Sequence, residues 1–145
     1  MKNFLLLFFI TVAGACNQPA PAPAHTREIF NAGDLQVITS FANRQQQTMS
    51  VLFGNTAAET CALGGYKTHV PGEIFKLVTF KQADNKYWYG SYINGAVQSI
   101  ETITTTADAP EQLIYRLERR RDKGTEAIPA IRIGYIFSHR PSVFP

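Results

Sequence analysis

Three histidines of this sequence could ligate a metal ion: His25, His69 and His139. A neutral imidazole nitrogen is a common metal ligand. His25 lies in a Pro/Ala-rich segment, His69 precedes Val70-Pro71, and His139 stands near the C-terminus, so none of them forms a helical metal-binding pair. The sequence therefore predicts no metal site and favours capping or surface roles for His69 and His139, with ligation as the weak alternative.

The weak candidate for a catalytic residue is Glu101, which lies in a stretch predicted to be a β-strand. If its side chain points into the core, burial would favour the protonated carboxyl group and make it a candidate proton acceptor. The alternative is a strand-edge carboxylate that pairs with Lys81 or Arg116. The sequence contains neither a phosphate-binding loop nor a nucleophile elbow, so the existence of an enzymatic activity stays open.

Four aromatic side chains could bind a planar or hydrophobic ligand: Phe75, Trp88, Tyr89 and Tyr92. Successive side chains of a strand point to opposite faces, so a strand that begins at Tyr87 would carry aromatic rings on both faces. This favours a sheet that is covered by a helix on one face and by a loop or a ligand on the other. The alternative role of these rings is packing within the core.

The elements that must position these residues follow from the pattern of apolar residues, which predicts an α+β domain of five or six antiparallel strands with two main helices. The predicted strands cover residues 35–41, 48–53, 74–82, a segment that begins at 87, 97–104 and 113–118. Residues 83–86 are polar and turn-prone and predict a reversal of the chain after the third strand, and the dipeptide Asn94-Gly95 predicts a tight hairpin between the next two strands.

Two segments have the pattern of helices. A short helix is predicted from Ala57 to Leu63, capped by Asn55 or Thr56. A second helix is predicted from Glu126 to about His139. Its apolar stripe of Ile128, Ile131, Tyr135 and Ile136, widened by Ile133 and Phe137, predicts burial against the sheet.

The N-terminal segment has the features of a signal peptide over residues 1–15. Its apolar run from Phe4 to Val12 is too short to span a membrane. Small residues directly before Cys16 resemble a bacterial lipobox, which predicts cleavage and lipidation at Cys16. A Pro/Ala-rich tether over residues 16–30 would then separate the domain at 31–145 from the membrane. The alternative is an ordinary signal peptide and a soluble secreted protein.

The remaining chain, of about 130 residues, is long enough for one domain with a single core. Its net charge is +3 at pH 7, without the strong basic stripe of a nucleic-acid-binding protein. The basic cluster between Arg116 and Lys123 indicates a solvated strand end or, alternatively, contact with anionic lipid headgroups. Because a lipid would consume Cys16, Cys61 has no disulfide partner, which favours a buried apolar role over thiol chemistry or metal ligation.

Three segments, in this order, resemble the cytochrome P-460 family: 49–58, 71–81 and 135–140. A closer resemblance is to bacterial sequences without a haem motif that are grouped with that family. It is carried by Trp88-Tyr89-Gly90, Ile93-Asn94-Gly95 and the C-terminal residues 140–145. The resemblance covers most of residues 35–145 and implies a cytochrome P-460-like fold.

The haem-binding features of that family do not occur here. Haem-bearing members hold the cofactor through Cys-x-x-Cys-His near the C-terminus and through a strand lysine that cross-links to the porphyrin. The corresponding region, from Lys123 to Ala127, has neither cysteine nor histidine. The lysine position holds Leu77, while Lys76 points to the opposite face. The resemblance thus implies the fold without covalent haem, and hydroxylamine oxidation or nitric oxide binding does not carry over with it.

The leading expectation is a lipid-anchored binding or accessory module on the periplasmic side of the bacterial envelope, with a small planar or hydrophobic ligand. One alternative is a redox protein that binds haem noncovalently through His69 or His139. Another is a structural or interaction lipoprotein that uses an exposed sheet edge or aromatic patch.

Overall fold

An antiparallel sheet of five strands and two helices make up the computed structural model, which describes residues 27–120 and 128–142. The strands are β1 (Gln36–Asn43), β2 (Thr48–Gly54), β3 (Ile74–Asp84), β4 (Tyr92–Thr105) and β5 (Leu113–Arg120). The helices are α1 (Thr56–Leu63) and α2 (Pro129–Phe137). The strand order β1-β2-β3-β4-β5 makes the sheet a meander, in which strands that are consecutive in the chain are hydrogen-bonded neighbours. The predicted α+β class is confirmed.

The two faces of the sheet carry separate apolar clusters. Along β3, Phe75 and Leu77 point toward the helices, whereas Val78 and Phe80 point to the other face. The buried members of the helix-facing cluster are Ile38, Leu52, Ala58, Cys61, Ala62, Phe75, Leu77, Ile103 and Ile136. Within the described ranges, no helix is long and apolar enough to cross a membrane.

The segment before β1 packs on the second face of the sheet. The Phe30 ring lies 5.6 Å from the ring of Phe53, measured between centroids. The carboxylate of Glu28 accepts hydrogen bonds from the Val97 N–H at 2.8 Å and from Arg119 at 2.9 Å. The loop cover expected for one face is therefore present, and it comes from residues that the sequence assigns to the tether. Residues 1–26, with the predicted signal peptide, Cys16 and His25, lie outside the described ranges.

Helix α1 begins as the sequence predicts. The Asn55 side chain accepts a hydrogen bond from the Ala58 N–H at 3.0 Å and donates one to the Gly72 carbonyl at 2.7 Å. Asn55 thus caps the helix and also ties the following loop to it. The buried face of α1 consists of Ala58, Cys61 and Ala62.

The predicted hairpin at Asn94-Gly95 is wrong. Strand β4 begins at Tyr92 and continues through both residues, while the chain reverses in residues 85–91. Within this turn the Trp88 N–H donates to the Asn85 carbonyl at 3.2 Å, and Gly90 adopts a φ of 76°. A left-handed φ favours glycine, and here Gly90, not Gly95, supplies it.

The glycine at position 95 permits a β-bulge. Gly95 and Ala96 of β4 lie together opposite Lys81 of β3. A Cβ atom on Gly95 would lie 2.9 Å from the Lys81 carbonyl oxygen, a distance that real Cβ contacts do not show. Glycine is therefore required because the two backbones approach closely, not because the chain turns.

Helix α2 ends at Phe137, before the predicted end near His139, and buries only part of the predicted apolar stripe. Pro129 occupies the first turn, where its missing N–H costs no helical hydrogen bond. Ile128 and Ile131 of the predicted stripe are exposed, so that part of the prediction is wrong. The residues that pack on the core are Ile133, Ile136 and Phe137. The predicted start, from Glu126, lies outside the described ranges.

Replacing Gly54 with alanine is expected to lower the free energy of unfolding by about 2 kcal/mol, a typical cost of overpacking. The new Cβ would lie 2.5 Å from Ile38 Cδ1 and 2.9 Å from Ala58 Cβ, where β2 meets α1. Gly134 in α2 provides the matched control, because a Cβ there meets nothing within 4 Å. Gly134→Ala should raise stability by up to about 1 kcal/mol. Urea unfolding followed by circular dichroism measures both, and equal effects would contradict the packing argument.

Candidate functional site

A thiol, an imidazole and a carboxylate converge between α1 and β3, and we call them the Cys61–His69–Glu73 cluster. One ligating atom from each lies within 4.8 Å of the other two. His69 Nδ1 is 3.4 Å from Cys61 Sγ and 2.6 Å from Glu73 Oε2. Cys61 and Glu73 are buried, and the His69 side chain is 13% exposed. The cluster is thus largely shielded from water.

A threonine on β4 fixes the loop that carries His69 and Glu73. The Thr105 hydroxyl donates to the Val70 carbonyl at 2.6 Å and accepts from the Glu73 N–H at 3.0 Å. The second carboxylate oxygen of Glu73, Oε1, accepts from the Val70 N–H at 2.8 Å. These bonds hold the Glu73 side chain in one direction, with Oε2 toward His69.

Aromatic rings hold the imidazole of His69. It stacks on Phe137 of α2 with centroids 5.6 Å apart and meets the edge of Phe75 at 6.5 Å. Tyr66 stacks on the same Phe137 ring at 4.5 Å and donates its hydroxyl hydrogen to the His139 carbonyl at 3.1 Å. Helix α2 therefore helps to position a residue of the loop before β3.

An open groove of about 430 Å³ runs beside α1, and Cys61 and Glu73 contribute to its lining. The lining residues are Ala57, Thr60, Cys61, Gly64, Thr68, Val70 and Glu73. Small-molecule sites are mostly apolar clefts of about 300–1,000 Å³ with a few placed polar groups. The groove lies at the small end of that range.

The electrostatics of the cluster do not suit an activated nucleophile. Burial raises the pKa of the Cys61 thiol to about 11, and the charge of Glu73 and a hydrogen bond to it add to the rise. Nucleophilic cysteines need a lowered pKa. Moreover, His69 uses the same nitrogen toward the thiol and the carboxylate, whereas a catalytic triad uses the two ring nitrogens separately. The arrangement thus favours binding over thiol catalysis.

In metal-free protein, Cys61 is expected to react with iodoacetamide at pH 8 about 100-fold more slowly than a small free thiol. The rise of its pKa from 9.0 to about 11 reduces the thiolate fraction by that factor. Glu73→Gln removes the negative charge beside the thiol and should speed the reaction. Glu59→Gln, on the helix α1 that also carries Cys61, should leave the rate unchanged. Mass spectrometry of timed samples gives the rates. A wild-type rate equal to that of the free thiol would contradict this account.

The four aromatic residues that were predicted to bind a ligand do not lie together in the structure, so they do not form one pocket. Phe75 is 1% exposed within the helix-facing core. Trp88 is 74% exposed, and Tyr89 and Tyr92 are also exposed, at the far end of the β3–β4 hairpin. The reason is that residues 87–89 belong to the turn, where no sheet face packs against them.

The histidines proposed as haem ligands lie in different settings. His69 belongs to the cluster, where Nδ1 contacts Cys61 and Glu73. His139 stacks on Phe41 with centroids 3.6 Å apart, and its Nδ1–H donates to the Tyr135 carbonyl at 2.9 Å. His139 therefore caps the C-terminal end of α2, in line with the alternative role given to it.

Glu101 is buried, as the catalytic hypothesis requires, but its partner was predicted wrongly. Its carboxylate accepts two hydrogen bonds from Arg132, at 2.8 and 2.7 Å, and one from the Tyr115 hydroxyl at 2.7 Å. Burial, with this hydrogen bond, raises the pKa of Tyr115 to about 12, so the phenol stays a donor. A two-point guanidinium contact favours the ionised carboxylate and occupies both of its oxygens. The contacts favour a structural role for Glu101 over proton transfer.

Sequence reasoning missed the cluster, although its spacing, Cys-x7-His-x3-Glu, was visible. The spacing was overlooked because His69 and Glu73 lie in a loop, where helical metal-site patterns do not apply. The loop folds back through three residues with left-handed φ, which are Gly65, Tyr66 and Gly72. That reversal brings His69 and Glu73 to the end of α1.

No known family model and no curated protein matches this chain. The resemblance to the cytochrome P-460 family therefore rests on the motifs themselves. Among the positions that bear on it, Leu77 is buried toward the helices, and Lys76 points away from them with Nζ 3.2 Å from Glu118. The region that corresponds to the covalent haem motif, 123–127, lies outside the described ranges.

Proposed function

We propose that this protein is a lipid-anchored binding module on the periplasmic side of the bacterial envelope, with a cytochrome P-460-like domain that carries no covalent haem. Its small ligand occupies the groove beside α1. The observation that carries this proposal is the convergence of a thiol, an imidazole and a carboxylate at a groove of about 430 Å³. A built cluster of polar groups on a mostly apolar cleft is typical of a ligand site.

The groove replaces the aromatic pocket that the sequence suggested. The Trp88 side chain is 74% exposed, so it offers a ligand little enclosure. By contrast, Ala57 and Val70 give the groove apolar walls, and Glu73 offers a fixed carboxylate. The raised pKa of Cys61 keeps the thiol protonated, so the cysteine is a poor nucleophile, and a binding role is favoured over attack on the ligand.

The anchor part of the proposal is supported by the sequence. Small residues before Cys16, after an apolar run of signal-peptide length, are the features that direct lipidation. A Pro/Ala-rich segment then provides the spacer that an anchored domain needs.

Mass spectrometry of the full chain, isolated from its own bacterial membranes, tests both parts. The expected result is a lipid on Cys16 and a small molecule that stays bound under native conditions. Thr60 is exposed and lines the groove, so Thr60→Phe should fill the groove and release the ligand while the lipid remains. Gln112→Phe, on the exposed turn before β5, is the matched control. An unlipidated Cys16 contradicts the anchor, and a ligand retained by Thr60→Phe contradicts the groove.

Noncovalent haem binding is a second candidate, favoured by the position of His69 against the rings of Phe75 and Phe137. Because Nδ1 contacts Cys61 and Glu73, an iron would bind Nε2. Hemin added to the purified full chain should then shift its Soret band, and His69→Ala should abolish the shift while His139→Ala keeps it. An unshifted band in the wild type contradicts this candidate.

A further inference from the structure

We propose that the Cys61–His69–Glu73 cluster binds a divalent transition-metal ion of the zinc class, with an open coordination position toward the groove. This inference rests on the proposed function, since it names the class of ligand for the same groove. Neither the sequence patterns nor the resemblance to the cytochrome P-460 family suggests this site.

The donor set is the one that zinc prefers. Thiolate sulfur, imidazole nitrogen and carboxylate oxygen are its usual protein ligands, and sites with three such ligands keep a fourth position for water or another molecule. A thiolate and a carboxylate together carry two negative charges, which balance the two positive charges of the ion. Neutrality matters here because Cys61 and Glu73 are buried, and an unbalanced buried charge is costly.

The distances need only a small adjustment. Around a tetrahedral zinc ion, a sulfur and a nitrogen ligand lie about 3.6 Å apart, and a nitrogen and an oxygen ligand about 3.4 Å apart. Cys61 Sγ and His69 Nδ1 are 3.4 Å apart, close to the first value. His69 Nδ1 and Glu73 Oε2 are 2.6 Å apart, so the carboxylate would move back by about 0.8 Å to admit the ion. The proton on Nδ1 moves to Nε2 and the thiol proton passes to water, so that the two contacts of Nδ1 give way to metal bonds from sulfur, nitrogen and oxygen.

The supporting contacts are those of a metal site. The Val70 N–H holds Oε1 of Glu73, which leaves Oε2 for the ion. Such contacts around the ligands orient them and contribute to metal affinity. If His69 and Glu73 formed only an ion pair, the sulfur of Cys61 would have no reason to lie near the same Nδ1 atom. Since Cys61 and Glu73 line the groove, the open position faces it.

Cobalt binding tests the inference, because Co²⁺ replaces zinc and reports its ligands by absorption. The full chain in detergent, stripped with a chelator, should bind one Co²⁺ with a thiolate-to-metal band in the near ultraviolet, and Zn²⁺ should remove that band. Cys61→Ser should abolish the band. Glu73→Gln should weaken binding by at least the ~10–100-fold that loss of an outer contact costs.

Two variants serve as controls for the test. Cys16→Ser removes the other cysteine and His139→Gln removes another histidine, and both should keep the band. Circular dichroism of Cys61→Ser and Glu73→Gln must match the wild type for their losses to count. An unchanged band in Cys61→Ser overturns the site.

The metal-binding test and the small-molecule test together separate this inference from the proposed function. If the wild type binds neither Co²⁺ nor Zn²⁺ but Thr60→Phe still releases a small molecule, the metal site is wrong and the binding module stands. If no metal binds and no small molecule is found, both are wrong.

Discussion

Replacing Phe75 with alanine is expected to lower the free energy of unfolding by about 4 kcal/mol, within the range for buried phenylalanines. Phe75 is 1% exposed, and its ring meets Phe137 at 5.0 Å, Tyr66 at 6.0 Å and His69 at 6.5 Å. Its removal leaves a cavity between β3, α2 and the loop that carries His69. The rings of Tyr66 and His69 belong to that loop and the ring of Phe137 to α2, and each has further contacts, so they cannot all collapse into the cavity.

Equilibrium unfolding in urea measures the change, with fluorescence and circular dichroism as two independent probes. Tyr89→Ala is the matched control, since it removes an aromatic ring of similar size that is fully exposed. That variant should differ from the wild type by no more than about 0.5 kcal/mol. A loss below about 1 kcal/mol for Phe75→Ala would show that this ring does not hold the core together.

Replacing Arg132 with alanine is expected to cost about 3 kcal/mol, the lower end of the range for breaking a buried ion pair. The side chain of Glu101 is 4% exposed, whereas that of Arg132 is 26% exposed, so water can partly compensate the loss. Among the described residues, the carboxylate would keep only the Tyr115 hydroxyl as a partner, at 2.7 Å. A buried charge without its counter-ion accounts for most of the cost.

Two further variants make this prediction specific. Arg132→Lys should recover only part of the stability, because an ammonium group cannot donate the two parallel hydrogen bonds that the guanidinium makes at 2.8 and 2.7 Å. Arg44→Ala, in the exposed turn between β1 and β2, should have almost no effect. If Arg132→Ala were as harmless as Arg44→Ala, the ion pair would contribute nothing to stability.

The strands and the first helix could be predicted because their patterns are local. Alternating apolar residues in 48–53 and 74–82 lie within two residues of the ends of β2 and β3, since one face of each strand packs on the helices. Asn55 was recognisable as a cap because its role needs only residues three positions ahead. Such features depend on near neighbours in the sequence.

The turn of the central hairpin could be predicted only in part: the predicted reversal at 83–86 overlaps the observed turn, but that turn continues to residue 91. Asn94-Gly95 has the composition of a turn, and Tyr87-Trp88-Tyr89 has that of a strand, yet the structure reverses the two. Glycine is needed at position 95 because the Lys81 carbonyl oxygen of the partner strand lies where a Cβ atom would be. No pattern within β4 itself reports that contact.

The candidate site could not be predicted either, because its contacts depend on how the loop folds and on residues that are distant in the sequence. His69 reaches Cys61 only because the loop between them reverses, and it is held by Phe137 from a helix near the other end of the chain. Glu101 likewise finds its guanidinium on α2, beyond β5. Residue types in the sequence could suggest these groups but could not reveal which of them meet.

The meander has a consequence for the order in which the molecule is assembled. Since each described strand pairs with the one before it, the sheet can grow hairpin by hairpin as the chain leaves the ribosome. Helix α2 emerges after all five strands, and until it docks Glu101 has no counter-ion and His69 no stacking ring. Helix α1 can cover its part of the helix-facing side early, but the part that Ile136 covers stays exposed until the later helix docks.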